Sequence, residues 1–147
     1  MILTEQPRYW FYPDVADNLA QPEEEQLAVE IIRPTGFQFK EFQSVVSGRE
    51  FYQNDQPVDA DGNPRKVGAF KKVWTEIRIN ADIILRTCVG EIRNLAVRDA
   101  EGGAERKIAD GRELAECRAY GVDGIVSAIC AEVRADIPSE AKKKNIG

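Results

Sequence analysis

The sequence predicts an α+β fold that is mainly α-helical, with two principal amphipathic helices, a short β-element near the N-terminus and a small hairpin at residues 92–108. Three patterns support this prediction: a helical apolar stripe over residues 67–88, a second stripe that follows Asp110, and an alternating apolar segment before Pro34. Steps of three and four residues keep one helix face apolar, whereas alternation keeps one strand face apolar. Adjacent glycines place the turn of the hairpin.

The longest helix is predicted over residues 67–88. Oppositely charged residues four positions apart lie opposite the stripe, as suits a solvated helix surface. Seven residues recur at alternating steps of three and four and form the stripe: Val67, Phe70, Trp74, Ile77, Ala81, Ile84 and Cys88. We expect the whole stripe, including Ile77 and Ile84, to belong to the core.

A second helix is predicted to begin at Asp110, which has the spacing of a capping box with Glu113. Its apolar face continues to Val133. Gly121 and Gly124 weaken the middle of this helix by about 1 kcal/mol each relative to alanine. They permit either a close contact with another helix or a kink.

The β-element is predicted over Leu27–Ile32, where apolar residues alternate. Beyond it, Thr35 and Gln38 have capping-box spacing and predict a helix that Gly48 ends. A hairpin through Arg33–Gly36 is the competing prediction, because the phenylalanines after it also alternate.

A single globular domain is predicted over residues 1–137. Residues 1–26 form a partly irregular arm, and residues 53–65, rich in proline and turn-forming residues, form a flexible loop. Residues 138–147 form a short basic tail with a frayed end.

Composition limits the classes of partner. The chain has 25 acidic and 20 basic residues, a formal charge of −5, so no nucleic-acid partner is expected, although acidic mimicry of nucleic acid stays open. No apolar run approaches the roughly 18 residues of a membrane span, so no membrane association is expected. The N-terminus lacks the pattern of a secretion signal. We therefore expect the protein to be cytoplasmic.

The sequence offers no catalytic, cofactor-binding or metal-binding residues, and we predict that the protein is not an enzyme and has no cofactor. It contains no histidine, the commonest general base and zinc ligand. Cys88, Cys117 and Cys130 form no CxxC pair and are predicted to be small buried hydrophobes. Asp59 and Asp61 suggest calcium, but the spacing of the neighbouring residues does not fit a calcium loop. A carboxylate-based enzyme would need several acids to converge on one cleft.

Four consecutive aromatic residues are the candidate partner-binding site: Tyr9, Trp10, Phe11 and Tyr12. Neighbouring side chains cannot all face one side of a strand or helix, so half of them are expected to pin the N-terminus to the domain. The exposed half would anchor a partner, because aromatic residues dominate interface hot spots. On this hypothesis, deletion of residues 1–13 weakens a complex and leaves the melting midpoint unchanged.

The order of these parts resembles the tail assembly chaperones of long-tailed bacteriophages. The resemblance rests on the IIRPTG segment at Ile31–Gly36, the AEVRADI segment at Ala131–Ile137 and the lysine–asparagine ending at Lys142–Asn145, in an acidic chain of this size. It implies a protein of the host cytoplasm that binds the tape measure protein, helps to recruit tail-tube subunits and catalyses no reaction. It further implies that the lysine codons near the end could form a ribosomal slip site.

Two other classes fit the same composition. One is a structural adaptor or joining protein of a phage particle, which would be found in purified particles. The other is a small acidic inhibitor of a host system. Assembly into a homo-oligomer also stays open.

Overall fold

The computed structural model describes residues 1–5, 7–51, 61–62, 70–98, 102–135 and 143–145. The chain divides into two compact units, which are described separately. The first comprises Met1–Phe42 with Asn80–Gly147, and the second comprises Gln43–Ile79.

Strands and helices both contribute to the fold. The strands are β1 (Arg8–Phe11), β2 (Ala28–Ile32), β3 (Gln43–Phe51), β4 (Phe70–Ile79), β5 (Val89–Arg93), β6 (Ala96–Arg98), β7 (Glu105–Lys107) and β8 (Lys143–Asn145). The α-helices are α1 (Gly36–Phe39), α2 (Ala81–Cys88), α3 (Gly111–Ala115) and α4 (Val122–Arg134). Short 3-10 helices occur at Asn18–Ala20, Glu23–Glu25 and Lys40–Phe42.

The first unit contains a four-stranded antiparallel sheet in the order β5-β2-β1-β8. Strand β2 confirms the predicted β-element, and the side chains of Val29 and Ile31 are fully buried on one face, as the alternation indicates. Strand β1 is an inner strand, because it pairs with β2 on one side and with β8 on the other.

Helix α2 is central to the packing of the first unit: it contacts α3, α4 and strands β2 and β5. The buried core includes Ile31, Phe42, Ile84, Ile108, Leu114 and Ile129. Gly111, at the start of α3, lies so close to α2 that a Cβ atom there would overlap the carbonyl oxygen of Leu85. Only glycine permits this contact between the two helices.

The second unit is an antiparallel hairpin of β3 and β4. It shows that the predicted helix over residues 67–88 is wrong, because β4 ends at Ile79 and α2 begins only at Ala81. Ile77 fits the helical period of the predicted stripe, but it also fits the two-residue period of a strand, together with Thr75 and Ile79. All three are β-branched, and β-branched residues favour a strand. The prediction of a mainly α-helical fold is wrong for the same reason; the fold is α+β with substantial sheet.

The two capping predictions are correct at the start of each helix and wrong about its extent. Thr35 and Gln38 form the predicted capping box, but α1 has only four residues and β3 follows, so the predicted helix to Gly48 does not form. The side chain of Asp110 accepts a hydrogen bond from the Glu113 amide at the start of α3. The predicted second helix is divided: α3 ends at Ala115, and α4 begins after Gly121, whose left-handed backbone, with φ at 84°, does not fit a right-handed helix.

Strands β6 and β7 form a two-stranded hairpin and confirm the hairpin predicted at residues 92–108. The predicted loop over residues 53–65 lies outside the described residues except at 61–62. In the predicted tail over residues 138–147, residues 143–145 are described, and they pair with β1 rather than fray. In the described part of the chain, the helices are all too short or too polar to cross a membrane.

Candidate protein-interaction surface

Over residues 43–47 of β3 and 75–79 of β4, one face of the hairpin carries only uncharged residues, most of them exposed. The strand register places Val45 directly opposite Ile77, and the neighbouring pairs two residues away lie on the same face. We call this surface the neutral face, and its members are Gln43, Val45, Ser47, Thr75, Ile77 and Ile79. It lies entirely within the second unit.

The centre of the neutral face is apolar and exposed. Val45 is 68 % exposed and Ile77 is 57 % exposed, although cross-strand pairs of β-branched residues usually stabilise a sheet by packing under a covering layer. Each strand has one neighbour among the described residues. A two-stranded hairpin alone is marginally stable in water, so a partner that covers this face would also stabilise the hairpin.

The opposite face of the hairpin carries exposed charges together with the half-buried Val46 and Trp74. Arg78 and Glu76, two residues apart on β4, form an exposed ion pair at 3.6 Å between guanidinium nitrogen and carboxylate oxygen. Exposed pairs of this kind contribute about 0 to 1 kcal/mol. The exposed charges therefore lie on one face of the hairpin and the exposed Val45–Ile77 pair lies on the other.

The four aromatic residues predicted to bind a partner lie mostly inside the first unit. Tyr9, Trp10 and Phe11 are 5 %, 7 % and 6 % exposed, and Tyr12 is half-buried. Tyr9 and Trp10 are neighbours in β1 and lie on opposite faces of the strand. The Tyr9 hydroxyl bonds to Glu132 of α4 on one face, and the Arg93 guanidinium lies 4.1 Å from the centre of the Trp10 ring on the other, so both faces are covered. A partner role for this segment stays a prediction, and Tyr12 has more surface in solvent than the other three.

Tyr9 belongs to a buried polar cluster that ties β1 and β2 to the end of α4. Its hydroxyl donates to Oε1 of the buried Glu132 at 2.9 Å. Arg33, just after β2, donates to the carbonyl oxygens of Glu132 at 3.0 Å and Ala135 at 2.6 Å. A cation at a helix C-terminus satisfies the last carbonyls and complements the helix dipole. This cluster stabilises the fold and has the geometry of a helix cap.

Burial raises the pKa values of three groups in this unit: Tyr9, Cys88 and Cys130. Burial and the hydrogen bond to Glu132 raise the pKa of Tyr9 above its ordinary value of 10.0. Burial raises the pKa of the Cys88 thiol from 9.0 to about 11. Cys88 and Cys130 are buried, as predicted, and Cys117 is half-buried. A buried thiol that keeps its proton is a poor nucleophile.

We expect the protein to lose stability as the pH rises above 9. Tyr9, Cys88 and Cys130 hold their protons more tightly in the folded protein, so the unfolded chain releases protons first and becomes favoured as the pH rises. The raised pKa of Cys88 alone should lower the free energy of unfolding by roughly 2 to 3 kcal/mol by pH 11, because each pH unit between the unfolded and folded pKa values costs about 1.4 kcal/mol. Urea melts from pH 7 to pH 10.5 test this, with Cys88→Ala expected to show a shallower decline. Equal slopes in the two proteins would contradict it.

Comparison with protein-family models, with curated proteins and with solved structures gives no match. The described residues contain no cluster of three or more side chains of the types that bind metal ions. Functional residues are therefore assigned from the geometry of this chain. The sequence does not predict the neutral face, because the predicted helix over residues 67–88 includes Ile77. The alternation of Thr75, Ile77 and Ile79 is the sequence signal that indicates it.

Proposed function

We propose that this chain is a non-enzymatic protein of bacteriophage tail morphogenesis, which binds the tape measure protein and tail-tube subunits in the manner of a chaperone. The resemblance of Ile31–Gly36, Ala131–Ile137 and the lysine–asparagine ending to the tail assembly chaperones supports the identity of the partners. The exposed Val45–Ile77 pair supports the mode of action, because a protein that binds other proteins needs apolar surface that is free before binding.

The energy available at the neutral face suits an anchor for a protein partner. Full burial of a valine or isoleucine side chain contributes about 1.5 to 3 kcal/mol. With more than half of each side chain still in water, a partner that covers both would gain roughly 2 to 4 kcal/mol. The six members of the neutral face are all uncharged, so covering them takes none of their side chains out of water as a charge.

The partners are tested by searching the neighbouring genes for tape measure and tail-tube proteins and co-expressing those found with this chain. The proposal expects a tape measure gene just downstream and a complex that survives purification. It also expects the protein to be missing from finished particles. Its presence in purified particles would make it an adaptor, and the lack of any tail genes nearby would overturn the phage assignment.

The binding face is tested by Val45→Thr/Ile77→Thr. Threonine keeps the β-branched shape and removes the apolar surface, so the hairpin should persist while the affinity for the partner falls by about tenfold or more. Glu76→Thr/Arg78→Thr is the matched control on the charged face and should bind within about threefold of wild type, because it removes only an exposed ion pair. Wild-type affinity in the first variant would exclude the neutral face.

A further inference from the structure

A second exposed apolar surface, an open groove of about 460 Å³, lies wholly within the first unit. Three segments line it: the loop over residues 15–21, the start of β6, and the chain from the end of α3 into α4. Its apolar lining includes Leu27, Leu95, Leu114, Val122 and Ile125. Tyr120, also in the lining, is fully exposed, and exposed aromatic side chains are frequent anchors at protein interfaces.

The loop beside the groove is held in place by one buried side chain. Asn18 donates from Nδ2 to the carbonyl oxygens of Pro13 at 2.9 Å and Leu27 at 3.1 Å, and its Oδ1 accepts from the Leu27 amide at 2.6 Å. These bonds close the loop over residues 14–26. The groove is thus formed before any partner arrives, which lowers the entropic cost of binding.

The loop that contributes Val15, Ala16, Asn18 and Gln21 to the groove lining is acidic. It carries no basic residue and five acidic ones: Asp14, Asp17, Glu23, Glu24 and Glu25. Asn94, which precedes Leu95 of the lining, donates to the carbonyl oxygens of Glu24 and Gln26, both at 2.9 Å, and so fixes the end of this loop.

Several of these carboxylates are available to a partner. Asp17, Glu24 and Glu25 are exposed, and none of them forms a salt bridge with a described residue. In the segment from Leu114 to Ile125, Glu116 and Asp123 are acidic and Arg118 is basic, and Glu116 pairs with Arg86 at 3.6 Å. The excess of negative charge therefore belongs to the acidic loop.

We propose that this groove binds a basic amphipathic helix of a partner protein. The apolar stripe of such a helix fits an open apolar groove, and lysine or arginine side chains along its flank would meet the acidic loop. A small apolar ligand would gain nothing from the carboxylates. This inference does not rest on the proposed tail function, because the groove and the neutral face belong to different units.

The direct test uses a fluorescent synthetic amphipathic helix of leucine and lysine, and the same peptide with glutamate in place of lysine. The lysine peptide should bind saturably, and the glutamate peptide should bind at least about tenfold more weakly. Added salt should weaken the binding of the lysine peptide. Equal affinity for the two peptides, or no saturable binding of the lysine peptide, would overturn the proposal.

Whether the peptide binds in the groove is tested by a substitution that fills the groove with a larger side chain. A Cβ atom at Gly124, in the groove lining on α4, meets no atom within 4 Å, so Gly124→Leu should fold and place its side chain in the space. Gly36→Leu is the matched control, since Gly36 is also helical and unobstructed but does not line the groove. The first variant should lose about tenfold or more in affinity, and the control should bind as wild type does. Equal binding by both variants would contradict the groove as the site.

The charge contribution is tested by Asp17→Asn/Glu24→Gln/Glu25→Gln. Asparagine tolerates the left-handed backbone at position 17. The variant should bind the lysine peptide about tenfold more weakly and with less dependence on salt. Neutralising two exposed carboxylates outside the lining, Glu5→Gln/Glu41→Gln, should change little. An unchanged affinity in the triple variant would overturn the charge argument.

Cys117 supplies a readout at the site itself. It lines the groove and is half-buried, whereas Cys88 and Cys130 are buried. Bound peptide should slow the alkylation of Cys117 in the wild-type protein. Alkylation at the free-protein rate under saturating peptide would show that the peptide binds elsewhere.

Discussion

Replacing Ile84 with alanine is expected to lower the free energy of unfolding by about 2 to 5 kcal/mol, because the cavity adds to the lost transfer energy. Ile84 is 0 % exposed on α2, which packs against α3, α4 and the sheet. The same substitution at Ile77 should cost about 1 kcal/mol or less, since much of that side chain is already in water and the remaining effect is strand preference.

Urea unfolding, followed by the fluorescence of Trp10 in a Trp74→Phe background, measures the effect of each substitution on the first unit, which contains Ile84 but not Ile77. The sequence has two tryptophans, so Trp10 is then the only reporter. A reporter confined to one unit is needed because two units need not unfold together. Equal losses for Ile77→Ala and Ile84→Ala would contradict the structure, and are the result that a continuous helix over residues 67–88 would give.

Deletion of residues 1–13 is expected to prevent the first unit from folding. The deletion removes β1, an inner strand, together with the buried Tyr9, Trp10 and Phe11. Replacing a buried phenylalanine or tryptophan with alanine costs about 3 to 5 kcal/mol, and the net stability of a domain is about 5 to 15 kcal/mol. This expectation is opposite to the one drawn from the sequence, where the segment was expected to be dispensable for folding.

The matched control is deletion of residues 1–5, in which Met1, Ile2 and Leu3 are exposed. It should leave the melting midpoint near the wild-type value. Near-ultraviolet circular dichroism and thermal melts of the two truncated proteins give the comparison. A cooperative transition at the wild-type temperature after deletion of residues 1–13 would return the aromatic segment to a binding role.

Structural features that depend on residues within one helical turn of each other could be predicted from the sequence. The Thr35–Gln38 capping box and the Asp110 cap both form, since each partner lies three residues from the other. Gly121, just before α4, has a left-handed backbone, a conformation that glycine adopts readily. What these local signals could not predict was how far each helix continues.

The extent of helix and strand near Ile77 depended on a distant partner. The residues from Phe70 to Ile79 satisfy a helical period and an alternating one, and short apolar segments of this kind are ambiguous by periodicity alone. Pairing with Gln43–Phe51 decides between them, and no local pattern encodes that register. For the same reason the neutral face, which joins Val45 to Ile77, could not be found before the strands were paired.

The burial of the aromatic segment likewise depends on contacts distant in sequence. Tyr9 bonds to Glu132, and β1 pairs with Lys143–Asn145, in a segment expected to fray. Four adjacent aromatics exceed what one covered face can hold, but β1 has both faces covered. That arrangement follows from the topology of the sheet and not from the spacing of the residues.

The central claim is that the neutral face of the β3–β4 hairpin docks a protein partner. Amide hydrogen exchange of the wild-type protein, free and in complex with the co-purified partner, tests it most directly. Since a lone hairpin is marginally stable, the account predicts that exchange in Gln43–Phe51 and Phe70–Ile79 slows when the partner binds. Unchanged exchange in both strands of a saturated complex would contradict it.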